Sequence, residues 1–197
     1  IICIGSVLWD IIGRSTNKMS LGSDKPGKII KIPGGVALNL AIALQKNGFN
    51  SSLLSAIGAD NDGDQLIEQI KLRGIDTEHI YRAKSFPTDK YIAVEGSNGL
   101  IGAIADTHTL ERCEKYILSP LKNGKLYKLN EPWAGIIVLD GNLTENLLNK
   151  INSDPLYRNV DLRIAPASPG KAARLRTCFN GNVRTVYMNL EEANLIV

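Results

Sequence analysis

The sequence predicts an α/β fold, a mainly parallel central sheet flanked by helices with a small extra β-sheet. Short apolar β-like runs alternate with helical patterns along most of the 197 residues, the order that a parallel sheet with crossover helices requires. The alternation breaks at residues 90–106, where two β-like runs surround a Gly-Ser-Asn-Gly turn, a hairpin signal. The composition, 44% apolar and 22% charged, is that of a globular chain with a packed core.

Each element has a local reason. "IICIGSVL" (1–8) is a short buried strand bounded by glycine. Residues 11–32 hold strand-like stretches that run into "IIKIPGG". A helix over 36–47 follows, closed by Asn47-Gly48, a good C-terminal stop. "SSLLSAIG" (51–58) is the next strand, and "DNDGDQLIEQIKLRG" starts a helix with carboxylates that suit its N-terminus. Leu66, Ile67 and Ile70 share one face of that helix, which ends at Gly74. After a charged segment (111–131) come a strand at 135–140, a helix at 143–151, strands at 160–165 and 183–188, and a helix from about Leu190. The chain opens at Ile1 inside an apolar run and stops at Val197 along that helix, so a longer parent protein is expected.

Several function classes are disfavoured. A net charge of +3 with scattered Lys and Arg does not make a nucleic-acid groove. No apolar run approaches the ~18 residues of a membrane span. Cys3, Cys113 and Cys178 are odd in number and far apart, which fits reduced thiols in a cytoplasmic protein. "GSDKPGKI" (22–29) imitates a P-loop but ends in Ile29, where the magnesium-binding hydroxyl belongs. "DNDGD" (60–64) imitates a calcium loop, yet Gln65 and Lys71 stand where Gly and Glu are required, and helix capping explains it. His79 and His108 have no partners at zinc-ligand spacing, and no G-x-S-x-G elbow occurs.

In open parallel sheets, ligands sit beyond the carboxyl ends of the strands. Asp10 follows the first run, Asp140 and Asn142 follow "GIIVL", and Asn189 follows "VRTVYM". Each is either a turn or cap residue, as Asp and Asn often are, or part of a site on one sheet edge. "IPGGVALNLAIALQKNG" (32–48) has two readings as well. Gly34 and Gly35 could let a ligand approach the helix N-terminus, with the Asn39 amide serving a hydroxyl pair. Alternatively they form a tight turn with a buried amide bonded to a neighbouring loop.

These segments together resemble the ribokinase-like, PfkB-type carbohydrate kinases. "PGGVALNLAIALQKNG" looks like that family's N-terminal signature, "AIGADNDGDQLIEQIKLRGIDT" (56–77) resembles the segment after it, and "NLEE" (189–192) matches its Asn-x-x-Glu element. "SDKPGKIIKIPGGVALNLA", "YIAVEGSNGLIGAIAD", "IIVLDGNLT" and "PAS" with Lys171 three residues on resemble the pseudouridine kinase subgroup more than ribose or adenosine kinases. Three positions depart from the pattern: Leu8 replaces a polar residue, Ala165 an acidic one, and Leu38 a frequent Arg.

The resemblance implies a three-layer α/β/α domain, of which residues 1–197 are the N-terminal part, with a β-sheet lid from about 11–32 and 90–106. It implies transfer of the ATP γ-phosphoryl group to the 5′-hydroxyl of pseudouridine, with Mg²⁺. The alternatives are a ribose or adenosine type of kinase, or a non-catalytic ligand- or partner-binding member. Gly34, Gly35 and Asn39 would floor a ribose pocket, Asp10 would accept bonds from ribose hydroxyls, and Asp140 and Asn142 would face it from the sheet edge. Asn189, Glu192 and Lys171 would serve the nucleotide phosphates, with Glu192 near the metal. The expected catalytic base, in a Gly-Ala-Gly-Asp motif, and most of the ATP-binding part would lie beyond Val197. The implied partners are a small sugar or nucleoside and a second copy pairing through the lid, with no nucleic acid or membrane.

Overall fold

The computed structural model describes residues 1–124, 126 and 134–196. Its strands are β1 (Ile2–Ile4), β2 (Leu8–Arg14), β3 (Lys28–Gly34), β4 (Ser52–Gly58), β5 (Ile80–Ala83), β6 (Lys90–Gly96), β7 (Gly99–Asp106), β8 (Ile136–Asp140), β9 (Asp161–Ala165) and β10 (Val183–Val186). Its helices are α1 (Val36–Lys46), α2 (Asn61–Lys71), α3 (His108–Arg112), α4 (Glu114–Ile117), α5 (Ser119–Lys122), α6 (Glu145–Ser153), α7 (Pro169–Ala172) and α8 (Leu190–Ile196).

Six strands pair in parallel in the order β10–β9–β8–β1–β4–β5. The chain fills the sheet outward from β1 on one side, through β4 and β5, and then on the other, through β8, β9 and β10. The strand order therefore reverses between β1 and β8, and a crevice opens at the carboxyl ends of such a pair. Neighbouring β1 residues face opposite ways, as the strand period demands. Ile2 and Ile4 pack with Leu54, Leu110, Ile117 and Leu148, whereas Cys3 packs with Ala37, Leu38, Leu53, Leu66 and Ile70. Helices α1 and α2 thus cover one face and α3 to α6 the other, giving three layers. Each fully buried Leu or Ile contributes about 1.5–3 kcal/mol.

A second, mixed sheet has the order β3–β2–β6–β7. Its outer pairs are antiparallel, but β2 and β6 run parallel. It therefore takes strands at 8–14, 28–34, 90–96 and 99–106, beside the expected stretches 11–32 and 90–106. Among the described residues no helix is long and apolar enough to cross a membrane.

Some boundaries differ from the sequence expectation. The run 1–8 is not one strand: β1 ends at Ile4, and the chain enters the second sheet at Leu8. The reason is Asp140. A Cβ on Gly5 would lie 2.1 Å from the Asp140 Cβ, so only glycine passes that carboxylate. Asp10 accordingly lies within β2, between Ile32 and Tyr91, instead of beyond a central strand. Strand β5 was not expected, and the charged segment 111–131 contributes to short helices where it is described. Helix α6 starts at Glu145 because Thr144 caps it, its Oγ1 accepting from Leu147 N at 3.2 Å.

The aspartate-rich start of α2 is a cap. Asp60 Oδ1 accepts from Gly63 N at 2.8 Å, and Oδ2 accepts from Thr88 N at 2.8 Å. The Thr88 hydroxyl adds a bond of 2.5 Å, which ties α2 to the segment entering β6. Burial raises the Asp60 pKa, but the bonds from Thr88 and Gly63 outweigh it, and the carboxyl is held below its ordinary range. Its stabilisation is complete above the unfolded carboxylate pKa and is lost as pH falls through the lower folded value. Asp60→Ala is expected to cost about 2 kcal/mol at pH 7, the upper range for a lost cap. Urea titrations should show the gap from wild type closing in acid.

Candidate functional site

The crevice at the reversal point is built around one carboxylate. Asp140 ends β8 and is fully buried. Its Oδ2 accepts from Ser6 N at 2.8 Å, from Ala37 N at 3.3 Å and from the Ser6 hydroxyl. Its Oδ1 accepts from Asn142 N at 2.7 Å and Asn142 Nδ2 at 2.9 Å. A buried charge is tolerated only with such compensation, and the N-terminus of α1 adds a favourable dipole. The Ser6 hydroxyl in turn accepts from Val36 N and from Asn142 Nδ2, both at 3.0 Å. One hydroxyl donor and two acceptor positions are thereby filled.

This network changes the reading of the Gly34–Gly35 opening. The first N–H groups of α1 are occupied by Ser6 and Asp140, so they are not free to hold a ligand. The glycines serve close approach. Gly35 has φ +102°, and a Cβ there would lie 2.3 Å from the Ser6 carbonyl oxygen. A Cβ on Gly34 would lie 2.0 Å from Asp10 Oδ2, so Gly34 leaves the room in which the Asp10 carboxylate sits.

A cleft of about 300 Å³ opens above these residues, at the small end of the ~300–1,000 Å³ typical of small-molecule sites. Asp10, Gly35, Asn39, Asn142 and Lys171 all line it. Asp10 is half-buried, and no described side chain or backbone N–H donates to its carboxylate. Burial without a donor pushes its pKa above the ordinary carboxylate range. Asn39 is exposed at the lip, not buried in a loop contact. Lys171 reaches the Asn142 side-chain oxygen from α7. Burial, followed by the Arg174 charge, holds the Lys171 pKa below its ordinary range.

Four expected residues do not line the cleft. Gly34 and Asp140 lie beneath it as its supports. Asn189 and Glu192 form a reciprocal cap at the start of α8: Glu192 N donates to Asn189 Oδ1 at 2.8 Å, and Asn189 N to Glu192 Oε2 at 2.9 Å. Among the described residues, the group with metal-ligand proximity is Asp76, Glu78 and His79, not Glu192. The sequence reading missed Ser6, Tyr91, Thr107 and Ser168, all of which line the cleft. The strand-end rule applied to "IICIGS" would have found Ser6. Tyr91 and Thr107 sit at the foot of the hairpin, and only the pairing of β2 with β6 brings them near Asp10.

Comparison with known proteins agrees with this geometry. The chain is 28% identical over 197 residues to a pseudouridine kinase of Escherichia coli, covering 100% of the chain and 60% of that protein. A solved carbohydrate kinase from Agrobacterium tumefaciens superposes with a TM-score of 0.78 at 22% identity, over 99% of the chain and 62% of the other. An uncharacterized sugar kinase from Pyrococcus horikoshii, solved in complex with ATP, gives 0.65 at 17% identity, over 94% and 61%. The chain thus spans about three fifths of the length of these relatives. The family model for pfkB carbohydrate kinases matches residues 1–197, and the chain belongs to that family.

Proposed function

We propose that the protein containing this chain transfers a phosphoryl group from ATP to a hydroxyl of a small sugar or nucleoside, with the 5′-hydroxyl of pseudouridine as preferred acceptor. The observation that carries this is Asp10, an ionisable acceptor in the cleft with no donor among the described residues, beside an Asn39 amide that no described group engages. A carboxylate accepts strongly from paired hydroxyls, and an amide can both donate and accept. Pseudouridine is favoured because a pseudouridine kinase is among the relatives matched over the whole chain.

In this scheme Asp10 and Asn39 orient the ribose. Lys171 offers its ammonium to phosphate oxygens across the cleft, and phosphoryl transfer depends mainly on such positioning and charge stabilisation. The second sheet brings Leu8, Asp10, Tyr91 and Ala105 to the cleft and acts as a lid that excludes water. ATP supplies the phosphoryl group, and Glu192 would help hold the Mg²⁺ that offsets the phosphate charge. No general base is assigned within the 197 residues, so the chain alone is expected to be inactive. Ile92, Val94 and Ile104 lie on the sheet face opposite Asp10 and are 44%, 40% and 70% exposed. A second copy pairing through this face is part of the proposal, and sedimentation should report a dimer.

The complete gene product should release ADP from Mg-ATP with pseudouridine in preference to uridine, adenosine or ribose. Turnover on another of these substrates would keep the kinase and overturn the preference. Silence on all four would favour a non-catalytic binder. Asp10→Asn should lower kcat/KM by about 10- to 100-fold, the equivalent of a lost charged hydrogen bond. Its melting temperature should match or exceed wild type, because no described residue bonds the carboxylate and burial disfavours its charge. Wild-type KM should also rise as pH falls through the raised Asp10 pKa, and the Asn variant should lack that limb.

A further inference from the structure

Besides the Asp60–Thr88 tie, one residue of α2 meets three strands of the second sheet. Asp62, in the first turn of α2, places Oδ1 2.7 Å from Lys31 Nζ of β3 and Oδ2 2.6 Å from Lys90 Nζ of β6. Its backbone oxygen accepts from Trp9 Nε1 of β2 at 2.9 Å, and Lys31 Nζ lies 4.4 Å from the centre of the Trp9 ring. Three adjacent strands of the sheet therefore converge on one aspartate. Trp9, Lys31 and Lys90 each immediately precede a residue on the cleft side: Asp10, Ile32 and Tyr91, which are register partners.

We propose that Asp62 is a positioning residue which, through Lys31 and Lys90, fixes the angle of the second sheet over the cleft and so the placement of Asp10 and Tyr91. The proposal rests on the cleft being the ligand site. Bonds from Lys31, then Lys90, hold the Asp62 carboxyl below the usual range, so the ionised form is the one bound. The three charged side chains are between 29% and 39% exposed. Pairs this wet add little to global stability, so the grip orients more than it stabilises. They are also screened as ionic strength rises, the Debye length falling from about 10 Å at 0.1 M salt to about 3 Å at 1 M. Asp62 makes no contact with the cleft, and it is not a lining residue.

The test uses Asp62→Asn in the complete gene product, a change that keeps the backbone oxygen and the side-chain size. Acceptor KM should rise about three- to tenfold with kcat within about twofold and the melting temperature nearly unchanged, in keeping with the loss of exposed pairs. Wild-type KM should climb with NaCl, whereas the variant should be flat. Asp62→Glu, which keeps the charge, should restore the salt response. Hydrogen exchange should quicken in peptides covering 28–34 and 90–96 but not in those covering 52–58 or 136–140. Unchanged exchange and salt response in Asp62→Asn and in Lys90→Met would overturn the grip. Faster exchange with an unchanged KM would overturn the positioning role. If none of the four acceptors is turned over, the kinase assignment fails by itself, and exchange alone decides whether Asp62 holds the sheet.

Discussion

A buried carboxylate at the end of β8 is the constraint on which the rest of this structure depends. Asp140 joins β8, the exit of β1 and the start of α1 through hydrogen bonds to Ser6, Ala37 and Asn142. Those elements are adjacent in space but come from three distant parts of the chain. Buried from solvent, the carboxylate is acceptable only when all three are in place. The crevice floor is thereby set by the folding of the central sheet. Gly5 and Gly35 are consequences of the same node, since a side chain at either would strike Asp140 or the Ser6 backbone.

The two aspartates at the cleft are bonded in opposite ways. Asp140 is saturated with donors and lies below the cleft. Asp10 has none among the described residues, pays a desolvation penalty and faces the open volume. Free polar groups of this kind are expected where a ligand, not the protein, completes the bonding. Lys171 and Asn142 link the cleft to its support, because the lysine rests on the amide that also bonds Asp140.

Much of the fold was legible because its signals are local. The apolar runs of β4 and β8, the Asn47-Gly48 stop and the carboxylates opening α2 each follow from a few neighbouring residues. The break at Gly5 was not legible, since its cause lies at Asp140, far along the chain. Strand β5 is short, and its burial comes from parallel pairing with β4. At the site, strand-end polarity pointed correctly to Asn142, and to Asp10 on the mistaken premise that it follows a central strand. It could not separate a residue that lines the cleft from one that supports it, such as Asp140, or from the cap pair Asn189 and Glu192. That distinction depends on partners contributed by other elements.

The parallel pairing of β2 with β6 has a consequence for how such a protein can be altered. Antiparallel hairpins can be inserted or deleted as one stretch of chain. Here the covering sheet is sewn from two separate segments, 8–34 and 90–106, with α1, β4, α2 and β5 between them. It cannot be gained or removed in a single genetic event without leaving β2 or β6 with an unpaired edge, which invites aggregation. Changes to the cleft from the sheet's side are therefore channelled into point substitutions at positions such as Leu8, Tyr91 and Ala105, while the covering sheet is inherited as a whole.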